Sequence, residues 1–380
     1  MKPDSATRLV QKLVSVPGYS GEEKAMADTV ASIMEELGFS EIHVDEFGSV
    51  IGIVGPEDAE MELLFDGHID VATVSGDWSF PPYCAEIRDG KLLGRGSADM
   101  KGGLGAAIFG VAQAAREKTL QKRVAVSASV MEETIEGLAL DNIIKTYHPA
   151  NVVICEPSEL AVMEGQKGRI EMLLTLKGKS AHASNPQAGI NPIFLATKAL
   201  QALENLVPPV DPLLGEGILV PTDMITTPYP AISIIPEKVT VRMDRRTLPG
   251  ETRESILAAI GAHLHGHGVE FFELSVSKSE FEMYTGKRVT RAVDLPSWTI
   301  DHNATLAQAM KKAVLASGCK YVTNVWKCCT NGSESCGNHK IPTIGLGPGS
   351  ILQAHVVDEF IPVKEIEMAA LIYKSLVLSI

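Results

Sequence analysis

Cysteine is scarce in this sequence, and long apolar runs are missing from it. Six cysteines in 380 residues, none in C-x-x-C spacing, are too few for a disulfide framework. No apolar run reaches the roughly 18 residues that a membrane-spanning helix needs. No apolar signal segment follows Met1. These absences argue against a disulfide-stabilised secreted domain and a membrane protein, and they predict a cytoplasmic location.

Basic clusters and two common hydrolase motifs are also missing. The chain has 34 basic and 47 acidic residues, a net charge of −13, and no basic stripe. Nucleic acid is therefore not an expected partner. Neither H-E-x-x-H nor G-x-S-x-G occurs, which excludes the zincin and serine-hydrolase interpretations. A length of 380 residues with 45% hydrophobic composition predicts a globular protein of two domains.

The first half of the sequence alternates helix and strand signals. Ser20 and Glu23 have the spacing of a capping box, which predicts a helix that ends before Gly38. Short, continuous apolar runs predict buried and mainly parallel strands, separated by helical segments. The runs are Val50–Val54, Met61–Phe65, Val124–Val130 and Val152–Cys155, and the helical segments are Leu104–Arg116 and Leu138–Tyr147. The predicted class is α/β, with a mainly parallel central sheet flanked by helices.

The pattern changes after about residue 169 and returns after Pro296. Predicted strands at Ile170–Leu176, Lys238–Met243 and Val269–Val276 are separated by predicted helices at Pro192–Leu206 and Glu251–His263. A helix at Thr305–Ala316 and a buried strand at Thr343–Leu346 then resume the α/β pattern. We therefore predict a large domain formed by 1–169 and 284–380, with a small α+β domain, 170–283, inserted into it.

Histidines and carboxylates follow the predicted buried strands. The carboxyl ends of parallel strands line one crevice, so these side chains are expected to meet there. Such a set would be costly to bury without cations, and imidazole with carboxylate suits zinc, cobalt or manganese. The residues are His68, Asp70, Glu132, Glu133, Glu156 and His355, together with Asp99 just before a predicted helix.

These motifs resemble the M20 metallopeptidases, the family of acetylornithine deacetylase and succinyl-diaminopimelate desuccinylase. The resemblance covers essentially the whole chain. It is carried by five ordered blocks: His68-Ile69-Asp70, Gly94–Gly103, Glu132-Glu133, Glu156, and Gly347–His355. Within the family, Gly345–Glu359 is most similar to acetylornithine deacetylase. The stretches 294–299 and 330–349 are more similar to the YgeY-type hydrolases.

The resemblance implies a binuclear amidohydrolase that uses a hydroxide between two metals, most simply zinc, with cobalt or manganese as alternatives. Its substrate would be a small N-acyl amino acid or a dipeptide. Glu132 would be the general base, and Asp70 would orient His68. The implied metal ligands are His68, Asp99 and Glu156 for one ion, and Asp99, Glu133 and His355 for the other.

The resemblance also assigns roles to the inserted domain, as a lid and as the contact of a homodimer. His182 would stabilise the oxyanion, in dimeric relatives from the partner subunit, and Arg246 would bind the substrate carboxylate. The peptide between Asp99 and Met100 is expected to be cis. Asn331, before the last strand, is predicted to contact the substrate.

Two alternatives stay open at this point. The first is acetylornithine deacetylase itself, whose basic substrate the acidic composition would permit. The second is a non-catalytic binding relative. The presence of Glu132 with the full ligand set argues against the second alternative.

Overall fold

The computed structural model describes residues 4–379, which form two compact units. The larger unit runs as far as Gln166 and resumes at Phe281–Val289 and from Trp298 onward; the smaller comprises Lys167–Glu280 and Thr290–Ser297. The domain bounds predicted from the sequence assign 290–297 to the large domain. These residues belong to the smaller unit because Asp294 and Leu295 pair with Ile170 and Arg169 in its sheet. The catalytic and lid roles of the domains remain predictions.

Helices make up much of the described chain, and none of them is long and apolar enough to cross a bilayer. Within residues 4–379 they are α1 (Ala6–Val14), α2 (Lys24–Leu37), α3 (Gly102–Glu117), α4 (Leu138–Tyr147), α5 (Pro192–Glu204), α6 (Arg253–Gly266), α7 (Thr305–Ala316) and α8 (Val363–Ser379).

The strands of the same residues are β1 (Glu41–Val44), β2 (Val50–Val54), β3 (Met61–His68), β4 (Ile87–Arg88), β5 (Lys91–Leu93), β6 (Arg123–Ser129), β7 (Asn151–Ile154), β8 (Val162–Gln166), β9 (Gly168–Lys177), β10 (Val210–Asp211), β11 (Gly215–Glu216), β12 (Ile218–Thr227), β13 (Lys238–Thr247), β14 (Glu273–Val276), β15 (Lys278–Glu282), β16 (Arg288–Ala292), β17 (Asp294–Leu295), β18 (Trp298–Thr299), β19 (Thr323–Trp326), β20 (Thr343–Gly345) and β21 (Phe360–Pro362).

A nine-stranded sheet forms the centre of the larger unit. Its order is β1-β2-β6-β3-β7-β20-β8-β18, and β19 also pairs with β8. The α/β class is confirmed, but the sheet is mixed. β6, β3, β7 and β20 are parallel neighbours at its centre, whereas β1, β2 and β18 are antiparallel to the strands they pair with. The continuous apolar runs arise because these central strands are buried on both faces.

Helices cover both faces of this sheet. On one face, Leu140 and Ile143 of α4 join a core cluster with Leu64 of β3. On the other, Leu104 of α3 lies so close to Gly67 that a Cβ at Gly67 would be 3.1 Å from the Leu104 Cβ. Because side chains alternate along a strand, positions 64 and 67 face opposite sides.

The smaller unit is a five-stranded sheet with two helices. Its order is β12-β13-β9-β14, with β17 also on β9. Buried and partly exposed residues alternate along β9 and β13, as expected for a sheet with one covered face. The core of this face includes Met172, Leu174 and Val241, packed with Ala199 of α5 and Ile260 of α6.

One local prediction was wrong, and one strand was not predicted. Ser20 does not cap α2: its hydroxyl donates to Asp70 Oδ2 at 2.7 Å, and no side chain caps that helix. The predicted end of this helix before Gly38 is confirmed, and Gly38 has φ 84°. The Pro-rich stretch 208–236 contains the ten-residue strand β12, which the sequence did not predict. Pro221 is accommodated there because β12 is an edge strand with a register shift at that position.

Glycines at the start of α3 allow the helix to approach β7. A Cβ on Gly103 would lie 1.9 Å from the carbonyl oxygen of Cys155, which precedes Glu156. The close approach fixes where the chain leaves β7. It therefore positions one of the predicted ligands.

We expect Gly103→Ala to lower the free energy of unfolding by about 1–3 kcal/mol, since backbone atoms must move to admit the methyl group. The matched control is Gly261→Ala, within α6, where the nearest atom to the new Cβ is 3.9 Å away. That change should stabilise the protein by about 0.5–1 kcal/mol. Urea unfolding of both variants checks the prediction, and equal effects would contradict it.

Candidate functional site

The ends of four parallel strands bring the predicted residues together in the larger unit. β6, β3, β7 and β20 are neighbours in that order, so their carboxyl ends share one edge of the sheet. His68 ends β3, and Glu132 and Glu133 come just after β6. Glu156 follows β7, and His355 lies in the loop beyond β20. Imidazole and carboxylate groups from segments that are far apart in the sequence therefore lie at the same edge.

Asp99 lies between two groups of donors. In the first group, His68 Nε2 lies 3.2 Å from Asp99 Oδ1 and 3.6 Å from Glu156 Oε1. In the second group, His355 Nε2 lies 3.5 Å from Asp99 Oδ2 and 2.6 Å from Glu133 Oε2. Within each group, one donor atom per residue lies within 4.8 Å of the others. The two oxygens of Asp99 thus face different groups, an arrangement that fits a carboxylate shared by two cations.

The electrostatics of the protein groups also fit cations. Burial raises the pKa of Glu156 well above its usual value, and the nearby carboxylates of Asp99 and Glu133 raise it further. Burial and neighbouring carboxylates do the same to Glu132. Burial alone would lower the pKa of His68, but Glu156, Asp99 and Glu132 raise it well above its usual value. So many acidic groups in one buried place need positive charge nearby.

Asp99 is the exception among these carboxylates. Burial favours its neutral form, yet the hydrogen bond from His68 and the charges of His68 and His355 hold its pKa below the usual value. It is therefore the carboxyl group most readily ionised. The peptide between Asp99 and Met100 is cis, as predicted.

Asp70 orders the backbone around this edge. Its side chain is fully buried and accepts hydrogen bonds from the N–H groups of Glu132 and Glu133, at 3.1 and 3.0 Å, and from the Ser20 hydroxyl. His68 Nδ1 bonds to the Asp70 backbone carbonyl at 2.8 Å, whereas the Asp70 carboxylate is 3.5 Å away. Asp70 thus holds His68 mainly through its backbone. Ser20 was missed as a site residue because its spacing to Glu23 pointed to a helix cap.

Glu132 and Glu133 are adjacent but face different partners. Glu133 Oε1 accepts from the Ala72 N–H at 3.0 Å, and its other oxygen faces His355. Glu132 Oε2 lies 3.8 Å from His68 Nε2. Glu132 stands beside the first group without belonging to either group of donors.

His182 and Arg246 lie in the smaller unit. His182 is exposed, and its Nδ1 is 2.7 Å from the Ser184 hydroxyl. Arg246 projects from β13, and its Nε donates to Asp244 Oδ1 at 2.8 Å. Arg169 donates to the other oxygen of Asp244, at 3.2 Å. Asp244 therefore orients Arg246 while two guanidinium groups surround it.

Asn331 occupies a different environment from the one predicted. It is only 4% exposed. Its amide nitrogen donates to Asp66 Oδ2 at 2.7 Å and to the Ser129 hydroxyl at 3.1 Å, and its oxygen accepts from the Gly137 N–H. These bonds use both ends of the amide inside the protein, which argues for a structural role; the substrate contact stays a prediction. Sequence position alone could not reveal that the buried Asp66 needed a donor.

A third group of possible donors, formed by Asp141, Glu334 and His339, lies in the larger unit. His339 Nε2 is 2.8 Å from Asp141 Oδ1. Lys145 already pairs with the other oxygen of Asp141, at 2.6 Å, and Asn338 donates to Glu334. This group is accounted for as an ion-pair network that joins α4 to the segment after Asn331.

We expect Asn331→Ala to destabilise the protein rather than to weaken substrate binding. Removing the amide leaves the buried Asp66 with one donor fewer, at a cost of about 1–3 kcal/mol. Ser127→Ala is the control, because the Ser127 hydroxyl donates to the other Asp66 oxygen at 2.6 Å. Urea unfolding should show a loss for both variants. A raised KM in Asn331→Ala alone, with unchanged stability, would contradict the prediction.

Comparison with known proteins gives consistent matches. The model of peptidase family M20/M25/M40 matches residues 64–379. The uncharacterised protein YgeY of Escherichia coli K12 is 30% identical over 93% of this chain and 89% of its own length. An acetylornithine deacetylase of Pasteurella multocida is 27% identical over 92% of this chain and 90% of its own.

Solved structures share the fold. An M20 family metallo-carboxypeptidase, Sso-CP2 of Sulfolobus solfataricus, matches with a TM-score of 0.78 and 17% identity, over 99% of both chains. The family model covers the strand ends and loops that carry the donors described above, from His68 to His355. On these grounds the chain belongs to peptidase family M20/M25/M40.

Proposed function

We propose that this protein is a binuclear metal-dependent amidohydrolase. Its substrate would be a small N-acyl amino acid or a dipeptide. The observation that supports this best is the sharing of Asp99 between two donor groups, with its two oxygens facing His68 and His355. Membership of a peptidase family supplies the class of bond that is cleaved.

The donor chemistry favours zinc, with cobalt or manganese as alternatives. His68, Asp99 and Glu156 would hold one ion, and Asp99, Glu133 and His355 the other. When bound, such ions lower the pKa of water and polarise the amide carbonyl. Asp70 keeps His68 and the backbone of Glu133 in place for this task.

Glu132 is proposed as the general base and acid. Its carboxylate lies beside the first donor group, where it would take a proton from the attacking water and return it to the leaving amine nitrogen. Burial raises its pKa well above the usual value, as does the charge of Glu156.

Substrate recognition is proposed to involve the smaller unit. Arg246 offers a guanidinium fork, and such a fork suits a substrate carboxylate. Asp244 holds it by two hydrogen bonds, at 2.8 and 3.4 Å. The exposed imidazole of His182 would donate to the negative charge that develops on the carbonyl oxygen.

A homodimer in the cytoplasm is part of the proposal. β12 is the edge strand of its sheet, and it exposes the apolar side chains of Ile218, Val220, Met224 and Ile225. An exposed apolar edge strand is liable to pair with another chain, so native proteins usually cover it. A second copy related by a two-fold axis would cover it with the same strand.

Two other functions compete with this proposal. Acetylornithine deacetylase itself is the narrower alternative, supported by the relative from Pasteurella multocida. A non-catalytic binding role is the second, and the buried Glu132 beside the donors argues against it. A panel of N-acetyl, N-succinyl and N-carbamoyl amino acids and dipeptides separates these functions. Turnover of N-acetylornithine alone would select the first, and no turnover by the metal-loaded protein would select the second.

Glu132→Gln tests the division of labour between the adjacent glutamates. On the amide that turns over, kcat should fall by about 10²–10⁴-fold, because the proton acceptor is lost. Metal content, measured by mass spectrometry, should stay unchanged. Glu133→Gln is the contrast and should lose one ion per chain. Loss of metal in Glu132→Gln would show that the two roles are assigned wrongly.

A mixture of two inactive variants tests whether His182 acts across a dimer. Random reassortment of Glu132→Ala and His182→Ala subunits makes about half of the dimers mixed. If His182 serves the partner's site, each mixed dimer keeps one intact site, and about a quarter of the wild-type activity returns. If His182 serves its own subunit, no activity returns. Sedimentation of the wild-type protein as a monomer would remove the proposal of a dimer.

A further inference from the structure

Two loops of the larger unit carry ligands proposed above, and one buried side chain connects them. Asp99 lies in the loop that follows β5, and His355 lies in the loop that ends at β21. β5 and β21 pair antiparallel, with Phe360 opposite Leu93. This register places Glu359 beside the start of the Asp99 loop, where the Gly94 N–H donates to the Glu359 backbone carbonyl at 3.0 Å.

The Glu359 carboxylate receives four hydrogen bonds from the Asp99 loop. Oε2 accepts from Arg95 Nη1 at 2.8 Å and from the Gly96 N–H at 2.9 Å. Oε1 accepts from the N–H groups of Ala98 and Asp99, at 2.8 and 3.1 Å. Glu359 is 0% exposed and Arg95 is 2% exposed. All four donors are therefore shielded from water and depend on this one carboxylate.

Position 359 needs a side chain with two accepting oxygens, because two donors point at each oxygen of the Glu359 carboxylate. A glutamine at position 359 would fit the space, but its NH₂ group would face two N–H donors. The loop backbone also passes close to Val71: Gly96 has φ 80°, and a Cβ there would lie 2.6 Å from Val71 Cγ1. The loop is closely packed, and its N–H groups converge on one point, as in an anion-binding nest.

We propose that Glu359 is a positioning residue that fixes the Asp99 loop relative to the His355 loop, and so sets the geometry of both metal sites. This inference rests on the proposed function for the identity of the metal ligands. Asp99 and His355 are two of the three ligands of the second site. Of these two, only Asp99 is a ligand of the first site. The other ligands of that site are His68, the last residue of β3, and Glu156, which follows β7. Loss of Glu359 therefore weakens the second site more than the first.

The test is the zinc affinity of E359Q, measured by competition with a chelator and without any substrate. Partners that orient metal ligands contribute roughly 10–100-fold to affinity, and we expect a loss of that size. The same change is then made in two backgrounds. Glu156→Gln leaves the second group of donors intact, and Glu133→Gln leaves the first group intact. E359Q should lower the zinc affinity more in the Glu156→Gln background than in the Glu133→Gln background.

The matched control is Asp45→Asn. Asp45 Oδ1 accepts from the N–H groups of Phe47, Gly48 and Ser49, at 3.0, 2.9 and 2.8 Å, in a loop with no proposed ligand. This variant should lose stability but bind zinc like the wild type. An equal loss of affinity in Asp45→Asn and E359Q would overturn the proposal, since it would reveal general softening. Unchanged zinc affinity in folded E359Q would overturn it as well.

Hydrogen exchange of the wild-type protein, stripped of metal, tests the proposal even if E359Q does not fold. The amides of Gly96, Ala98 and Asp99 should exchange as slowly as those of the central strands, and exchange as fast as in exposed loops would overturn it. Because neither readout uses turnover, they are separate from the substrate panel. A protein without amidase activity could still show the predicted loss in E359Q, and an active enzyme could fail to show it.

Discussion

The crowding of acidic groups at one buried edge is the constraint on which the site depends. Asp99, Glu132 and Glu156 are all buried within a short distance of His68, and the imidazole of His355 faces the other side of Asp99. Burying like charges together is unfavourable unless positive charge compensates them. Two of the donors are also held by the backbone, since His68 Nδ1 bonds to the Asp70 carbonyl and Glu133 accepts from the Ala72 N–H. The positions of these donors are therefore set by the surrounding protein as well as by their contacts with one another.

That support comes from the sheet. Parallel pairing of β6, β3, β7 and β20 sets the order in which the donors arrive at the edge. The close approach of α3 at Gly103 fixes the exit of β7, and Asp70 fixes the exit of β6. Packing thus determines where the carboxylates lie, and their chemistry then determines what can bind between them.

The sequence predicted the parts of this arrangement that depend on local signals. Continuous apolar runs marked the central strands, and donors placed just after them marked the shared edge. β12 escaped prediction because prolines mask its strand signal, and its pairing with β13 depends on a tertiary partner. The capping pattern at Ser20 misled because the hydroxyl had a better partner, Asp70, fifty residues away. The role proposed for Glu359 could not be predicted from the sequence, since it arises from the register of β21 on β5.

Asp70 links the two glutamates after β6 to His68. One carboxylate accepts the backbone N–H groups of both Glu132 and Glu133, while its backbone carbonyl accepts from His68. The proposed base and two of the proposed ligands, one for each ion, therefore share a single anchor. A change at Asp70 would therefore act on all three residues at once. Through Asp70, the proposed base and one proposed ligand of each ion are structurally coupled.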